Sequence, residues 1–267
     1  MKFCVIIAAG GASARYEAAG GLRSKLDEDL GGKPLLQRTV ETFTKFEPRE
    51  GTISSLIVAG PGKADEFAEF KQRHGDRLGI MGAKLVPGGV SHRWESIKAA
   101  LAHVPDDCTH VAVHDAARPC VSMDLLDRVF HAAATYDAVI PAVEIADTVK
   151  RVEDTGEAMG GADPAAVILG AAPKVPLRVV TETLARAGLM LVQTPQVFAT
   201  DLIVRAYAQP DLSSTDDAGL VERLGARVVV VTGEARNLKV TVPADVAMAR
   251  QVLGLREPEG RPVHKRF

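Results

Sequence analysis

The sequence predicts an α/β fold, a Rossmann-like, mostly parallel and twisted sheet that is flanked by helices. Short runs rich in valine and isoleucine are apolar at nearly every position, which is typical of strands covered on both faces. Between these runs lie segments whose apolar residues recur at helical spacing. This alternation predicts parallel strands that are joined by right-handed crossovers.

The elements follow in order along the chain. Strands are expected at 3–9, 53–59, 83–86, 109–113, 138–143 and 227–231. Helices are expected from Pro34, around Trp94–Val104 and Leu125–Ala132, from Thr215 to Gly225, and between Pro243 and Gly254. Proline is favoured at a first helical position, acidic residues stabilise a first turn, and glycine commonly ends a helix.

The first apolar run has a second interpretation, as the core of a signal peptide. Lys2 precedes it, and Ala12, Ser13 and Ala14 follow it like a cleavage site. The run is short and its charged leader is a single lysine, so a buried first strand is the better prediction. No apolar run approaches the roughly 20 residues that span a bilayer, and we expect no membrane partner.

Composition narrows the class of protein. Of the 267 residues, 46% are hydrophobic and 25% are charged, which excludes disorder for the bulk of the chain. The net charge of −2 provides no basic field, so no nucleic-acid partner is expected. Cys4, Cys108 and Cys120 are scattered and suggest neither a disulfide framework nor a metal site. A reducing, cytoplasmic location is therefore expected.

A single domain is predicted over 1–254, with an arm and insertion at about 151–192. Within it, Glu153–Val180 is rich in glycine, alanine and proline and has weak periodicity, so we expect it to leave the domain as an arm or loop. The tail, 255–267, is charged and contains proline, which predicts flexibility.

A candidate phosphate-binding turn follows the first strand, at Ala8-Ala9-Gly10-Gly11. Ala12 and Arg15 exclude a G-x-G-x-x-G dinucleotide motif, and no G-x-x-x-x-G-K-[ST] motif occurs. A glycine pair alone would also fit a plain tight turn. The distinctive feature is a pair of cations, Arg15 and Lys25, which suits transfer of a charged phosphoryl group.

The segment from Ala8 to Arg15, with Lys25 and Gly32–Leu36, resembles the signature of nucleotidyltransferases that make nucleoside-diphosphate sugars. The string Val111–Pro119 (VAVHDAARP) is similar to the 2-C-methyl-D-erythritol 4-phosphate cytidylyltransferases of non-mevalonate isoprenoid synthesis. Further matches occur in the family's order at Gly88-Gly89, Arg93, Ser96, Asp147–Arg151, Gln193–Gln196, Thr215–Ala218 and Asn237–Thr241. The resemblance covers roughly residues 3–253.

The resemblance implies a site. The catalytic residues would be Arg15, Lys25 and Lys239. The CTP-binding residues would be Ala8, Ala9, Gly10, Gly11, Gly88, Gly89, Arg93, Ser96, Asp115, Ala116 and Arg118. The acceptor phosphate would be bound by Asp147, Thr148, Arg186, Thr215 and Lys239. Asp115 would also bind Mg²⁺, a hard cation that takes carboxylate and phosphate oxygens.

Several alternatives stay open on the residues alone. Asp115 would also serve as a strand-end cap, and Arg118 as half of a structural ion pair. His114 is better interpreted as a packed or hydrogen-bonded strand histidine than as a metal ligand. The loop from Arg15 to Lys25 is longer than the family's, and Ser24 replaces its proline, so Arg23 is a second candidate for the loop cation.

The implied reaction joins CTP and 2-C-methyl-D-erythritol 4-phosphate, releasing pyrophosphate. The attacking phosphate is already ionised, so the site needs charge stabilisation and positioning rather than a general base. Alternatives are another acceptor, such as ribitol 5-phosphate, or a silent nucleotide-sensing module. The family's dimerising arm implies a homodimer with exchanged arms, in which Arg186 acts on the partner's site.

Overall fold

The structure is a computed structural model that describes residues 1–11, 14–159 and 175–256. Its strands are β1 (Lys2–Ala8), β2 (Thr52–Ala59), β3 (Ala83–Val86), β4 (His110–Asp115), β5 (Ala138–Glu144), β6 (Val149–Met159), β7 (Val175–Leu184), β8 (Met190–Val192), β9 (Gln196–Ala199) and β10 (Val229–Thr232). Its helices are α1 (Ala14–Ala18), α2 (Leu35–Lys45), α3 (Ala64–Ile80), α4 (Arg93–Leu101), α5 (Met123–Ala133), α6 (Thr200–Tyr207), α7 (Asp217–Arg223) and α8 (Pro243–Val252). A 3₁₀ turn spans Lys25–Asp27.

The chain divides into two compact units. The main unit comprises Met1–Val143 and the described residues from Val192 onward, and the second unit is Glu144–Leu191. The second unit therefore includes most of the stretch in which the sequence predicts an arm and insertion.

The main sheet has the strand order β10-β5-β9-β4-β1-β2-β3. β1 is parallel to both β2 and β4, β3 is parallel to β2, and β10 is parallel to β5. Only β9 runs antiparallel along this path, between β4 and β5. The predicted mostly parallel α/β sheet is confirmed.

All six predicted strands are present, with ends that differ by two residues at most. The sequence did not predict β9, because it has only four residues and begins with a buried glutamine. It also did not predict α3, since this helix carries many charges and a glycine, and only Phe70, His74 and Leu78 are buried. Those three residues lie four positions apart and form one helical stripe.

The sheet separates two apolar layers. Phe3, Val5 and Ile7 of β1 belong to one buried cluster, and Cys4 and Ile6 belong to the other. This alternation is the period of a strand, and helices cover both faces. β1 is thus the buried first strand that the sequence predicts. None of the described helices has both the length and the apolar character to cross a membrane.

The second unit contains an antiparallel pair, β6 with β7. Its strands are exposed along nearly their whole length, and apolar side chains such as Val175, Val179 and Val180 are about half exposed. Two strands alone have no second layer against which to bury such residues. The middle of the predicted arm, with Val167, Ile168 and Leu169, lies outside the described residues, as does most of the predicted tail.

Candidate active site

A cleft of about 310 Å³ opens at the carboxyl ends of β1 and β4. These strands are neighbours, and Ala8 pairs in register with Asp115. The chain continues from β1 to β2 on one side, whereas β4 lies on the other, so the strand order reverses here. Ligands of open α/β sheets bind in such a crevice. The cleft is lined by Ala8, Ala9, Gly10, Gly11, Arg15, Lys25, Leu26, Arg93, Ser96, Asp115, Ala116, Ala117, Thr215 and Lys239.

Most of the predicted site residues of the main unit line this cleft. Leu26 and Ala117 are lining residues that the sequence did not single out. Gly88, Gly89 and Arg118 do not line it, but each contacts a residue that does. Ala12 and Ser13 lie outside the described residues.

The phosphate turn and the Gly88 loop both pack on Gly60, the residue after β2, without room for side chains. A Cβ on Gly10 would lie 2.3 Å from the carbonyl oxygen of Gly60, and a Cβ on Gly88 would lie 2.3 Å from the same atom. The Gly88 Cβ would also lie 2.6 Å from Ser96 Oγ. Glycine is therefore required here by close backbone approach.

The first turn of α4 fixes the loop that the resemblance assigns to base recognition. The Gly89 N–H donates to Ser96 Oγ at 2.9 Å. The N–H groups of Val90 and Ser91 donate to Glu95 Oε2 at 2.8 and 3.0 Å. Ser96 is buried yet reaches the cleft, so its hydroxyl proton remains available to a ligand.

Asp115 is the centre of charge in the cleft. Its Oδ2 lies 2.8 Å from Lys239 Nζ, and its Oδ1 accepts from Arg93 Nε at 3.1 Å. Arg118 Nε lies 3.6 Å from Oδ2. Burial would raise the pKa of the carboxyl, but Arg93, Lys239 and Arg118 outweigh it and hold that pKa well below its usual range. Asp115 is thus ionised at any physiological pH.

Arg93 is held by a second carboxylate that sequence reasoning missed. Asp217, fully buried at the start of α7, accepts from Arg93 Nη1 at 2.8 Å and from the Tyr207 hydroxyl at 2.5 Å. Burial opposes the charge of Arg93, but Asp217 and Asp115 raise its pKa above the ordinary value. The sequence marks Asp217 only as a helix-start acid, and nothing in it pairs Tyr207 with this site.

A buried network behind Asp115 sets the end of β4. The Asp115 N–H donates to Thr194 Oγ1 at 3.0 Å, and that hydroxyl lies 3.2 Å from His114 Nδ1. His114 Nε2 lies 3.1 Å from the Arg118 carbonyl, which can only accept, so Nε2 carries the proton. Burial lowers the pKa of His114 to about 4. His114 is therefore the neutral, hydrogen-bonded strand histidine that the sequence predicts.

Arg118 contacts protein groups instead of lining the cleft. Besides its approach to Asp115, its Nη1 donates to the Asn237 carbonyl at 2.7 Å. The side chain of Asn237 donates to the Thr194 carbonyl at 2.9 Å. Arg118 thereby connects β4 to the segment that carries Lys239, which agrees with the structural ion pair considered from the sequence.

Arg15 and Lys25 differ from the other cations of the cleft. Across the described ranges, neither is paired with a carboxylate. Burial, with repulsion from Lys239 and Arg15, lowers the pKa of Lys25. Arg23, the alternative loop cation, instead forms a two-point contact with Glu28, at 3.2 and 3.1 Å, and does not line the cleft.

The predicted acceptor residues of the second unit lie close together within that unit. Asp147 and Thr148 are exposed. Arg186 Nη1 donates to the carbonyl of Ala146, which directly precedes Asp147 in the chain. A separate cavity of about 460 Å³ there is lined by Arg186 and residues of Glu144–Ala146 and Ala187–Met190.

The donor set at Asp115 suits a metal ion that arrives with phosphates. Among the described residues no cluster of three or more histidine, cysteine or acidic side chains occurs, and Asp115 is the one carboxylate among the lining residues. Each of its oxygens makes one hydrogen bond and keeps a lone pair. Mg²⁺ binds through one or two carboxylates plus substrate phosphates, so Asp115 fits that role.

Comparison with known proteins decides the family. The family model for 2-C-methyl-D-erythritol 4-phosphate cytidylyltransferase (IspD) matches residues 3–175 and 160–255. The chain belongs to this family. The resemblance drawn from the sequence and the predicted enzyme class, a nucleotidyltransferase, are confirmed.

Several relatives carry the same name. The cytidylyltransferase of Frankia casuarinae is 39% identical over 251 residues, which cover 92% of this chain and 80% of that protein. That of Streptomyces avermitilis is 40% identical over 230 residues, covering 85% and 83% of the two chains. The crystal structure of the Thermus thermophilus enzyme is 29% identical, with a TM-score of 0.68, and covers 96% of this chain and 100% of that one.

Proposed function

We propose that this cytidylyltransferase transfers the cytidylyl group of CTP to 2-C-methyl-D-erythritol 4-phosphate. The products are 4-diphosphocytidyl-2-C-methyl-D-erythritol and pyrophosphate, in isoprenoid precursor synthesis. One observation carries the proposal beside the family membership: the charged residues lining the cleft are four cations, Arg15, Lys25, Arg93 and Lys239, against one carboxylate, Asp115. Such an excess of positive charge suits a triphosphate.

In this reaction a phosphate oxygen of the acceptor attacks the α-phosphorus of CTP, and the bond to the β-phosphate breaks. The attacking phosphate is ionised at neutral pH, so no side chain has to remove a proton. Arg15 and Lys25 lie in the cleft without a carboxylate partner among the described residues, and we assign them to the charge that grows on the phosphates and on the pyrophosphate. We assign Lys239, whose Nζ lies 2.8 Å from Asp115 Oδ2, to the acceptor phosphate.

We assign Mg²⁺ to Asp115, with phosphate oxygens completing the coordination. Bound there, the ion would neutralise phosphate charge and orient the triphosphate. The residues of the chain orient Asp115 for this: Arg93 and Lys239 each contact one of its oxygens, and Thr194 fixes its backbone.

The working form is a homodimer in which the second unit supplies Arg186 to the partner's site. The supporting observation is the exposed apolar surface of β6 and β7, which two strands alone do not bury. The three cysteines are buried and free, which suits a reducing cytoplasm.

Pyrophosphate release tests the function directly. CTP, Mg²⁺ and 2-C-methyl-D-erythritol 4-phosphate should release pyrophosphate, and ribitol 5-phosphate should replace the acceptor poorly. UTP and ATP should be used at least ~10²-fold less well in kcat/KM, because a site built for one base edge leaves polar groups unpaired with another. Preference for ribitol 5-phosphate would change the acceptor, and binding of CTP without turnover would favour a sensing module.

A further inference from the structure

We propose that Asp27 is a positioning residue that holds Lys25 in the cleft by fastening the Lys25–Asp27 turn to α3. The inference rests on the role proposed above for Lys25.

Both carboxylate oxygens of Asp27 contact α3. Oδ1 lies 2.9 Å from His74 Nε2, and Oδ2 lies 2.5 Å from Arg73 Nη1. The side chain of His74 is 5% exposed and that of Asp27 is 20% exposed, so the contact is largely withdrawn from solvent. His74 also packs on Phe70, with ring centroids 4.8 Å apart. The hydrogen bond from His74 and the charge of Arg73 lower the pKa of Asp27 although burial opposes this.

The turn sends its two charged side chains in different directions. A 3₁₀ turn has about three residues per turn, so residues two apart project from different sides. Lys25 lines the cleft, whereas Asp27 contacts α3. Between them Leu26 is buried and packs in the core, and the Leu26 N–H donates to Ser24 Oγ at 3.4 Å. Fixing Asp27 therefore fixes the backbone from which Lys25 projects.

Lys25 needs such a constraint because its position is electrostatically unfavourable before nucleotide binds. Burial and the nearby charges of Lys239 and Arg15 lower its pKa, which means that the charged form is destabilised there. A lysine has a flexible four-carbon stem, so repulsion alone would turn the ammonium toward solvent. If the Lys25 ammonium is already held near the phosphates, the side chain does not have to move into place when the reaction occurs.

Neighbouring contacts support the loop but not in the same way. Arg23 pairs with Glu28 on the exposed side of the loop, and both Nε and Nη2 of Arg250 donate to the Asp29 carbonyl at 3.1 and 2.7 Å. These contacts lie outside the turn itself. Asp27 alone belongs to the turn and contacts a buried partner on a long helix.

A double-mutant cycle separates positioning from general stability. We would prepare Asp27→Asn, Lys25→Ala and the double variant, and measure kcat and KM by pyrophosphate release. Asp27→Asn should lower kcat by ~10-fold or more, since small misplacement of a catalytic group is costly. In the Lys25→Ala background the same change should alter kcat by less than about twofold, because its effect passes through Lys25.

Two further variants complete the design. Arg73→Gln weakens the same contact from α3 and should cause a smaller loss of kcat. It replaces Asp27→Asn in the test if that variant folds poorly. Glu50→Gln removes another histidine–carboxylate pair, Glu50 with His131 at 2.8 Å, and should leave kcat unchanged. Melting temperatures of all variants show any general loss of stability.

Equal loss of kcat from Asp27→Asn in both backgrounds would overturn the inference, and so would an unchanged kcat in the otherwise native enzyme. A Lys25→Ala variant with native kcat would instead refute the role proposed for Lys25, and the inference would fail with it. The two failures are therefore distinguishable.

Discussion

Asp115 shows how a single residue organises the charges of this cleft. It takes one hydrogen bond on each carboxylate oxygen, from Arg93 and from Lys239, and Arg118 lies nearby. These contacts hold the three cations in place around a single negative charge. Arg15 and Lys25, by contrast, are unpaired across the described ranges, and they remain available for a ligand's charge.

We expect Lys25→Ala to lower kcat by ~10²-fold or more, with a smaller effect on KM for CTP, because an aimed cation acts mainly on the charge of the transition state. Arg23→Ala is the matched control. Arg23 belongs to the same loop but pairs with Glu28, so kcat should stay close to native. Steady-state pyrophosphate release measures both, and the opposite pattern would make Arg23 the loop cation.

Asp217 supports Arg93 from outside the cleft, so its removal should affect stability and nucleotide binding together. Asp217→Asn breaks a buried ion pair and should destabilise the fold by roughly 3–5 kcal/mol while raising KM for CTP. Tyr207→Phe removes one hydroxyl donor to Asp217 and should cost about 1–3 kcal/mol. Urea unfolding and CTP titration measure the two effects. An Asp217→Asn variant as stable as the native chain would contradict this account.

Among the elements, the turn after β1 and the first turn of α4 line the cleft. The loop after β3 is fixed to α4 through Gly89 and Ser96. Both this loop and the turn after β1 pack closely on the carbonyl group of Gly60, the residue that follows β2. Asp115 lies at the carboxyl end of β4, in register with Ala8 of β1.

Gly88→Ala tests this packing. The added methyl group would lie 2.3 Å from the Gly60 carbonyl oxygen, and backbone at that distance must shift. We expect KM for CTP to rise ~10-fold or more, through displacement of the Gly89–Ser96 contact. Gly79→Ala, in α3, meets nothing within 4 Å and should leave KM unchanged. Equal KM values for both variants would show that the loop tolerates displacement.

Across the whole molecule, the cleft belongs to one unit, and the predicted acceptor residues are divided between the two units. Asp147, Thr148 and Arg186 belong to Glu144–Leu191, and Thr215 and Lys239 belong to the main unit. A two-fold dimer with exchanged arms would bring a complete set of groups to each site.

Mixing two inactive variants tests the exchange. Arg186→Ala and Lys25→Ala should each be nearly inactive alone. After subunit exchange about half of the dimers are mixed, and one site in each mixed dimer regains both residues, so activity should recover to about a quarter of native. Verified exchange without recovery would show that Arg186 serves its own subunit, while the family assignment would be unaffected.

Patterns along the sequence were sufficient to predict the parallel α/β class, six of the strands and, through ordered motifs, the family. These features are local, because a covered strand is apolar along its length and a phosphate turn is a contiguous string. The observed strand ends differ from the predicted ones by two residues at most. The sequence did not predict α3, because its many charged residues conceal its buried face, and it did not predict β9, because that strand has only four residues.

Which distant residues meet depends on the tertiary fold. Asp217 contacts Arg93 across 124 positions of sequence, and His74 contacts Asp27 across 47. The folded chain also shows that Lys25 lines the cleft and Arg23 does not, because Arg23 pairs with Glu28, five residues further along the loop. The physical reason is that burial and pairing of a charge depend on neighbours in space, and no pattern along the chain encodes these partners.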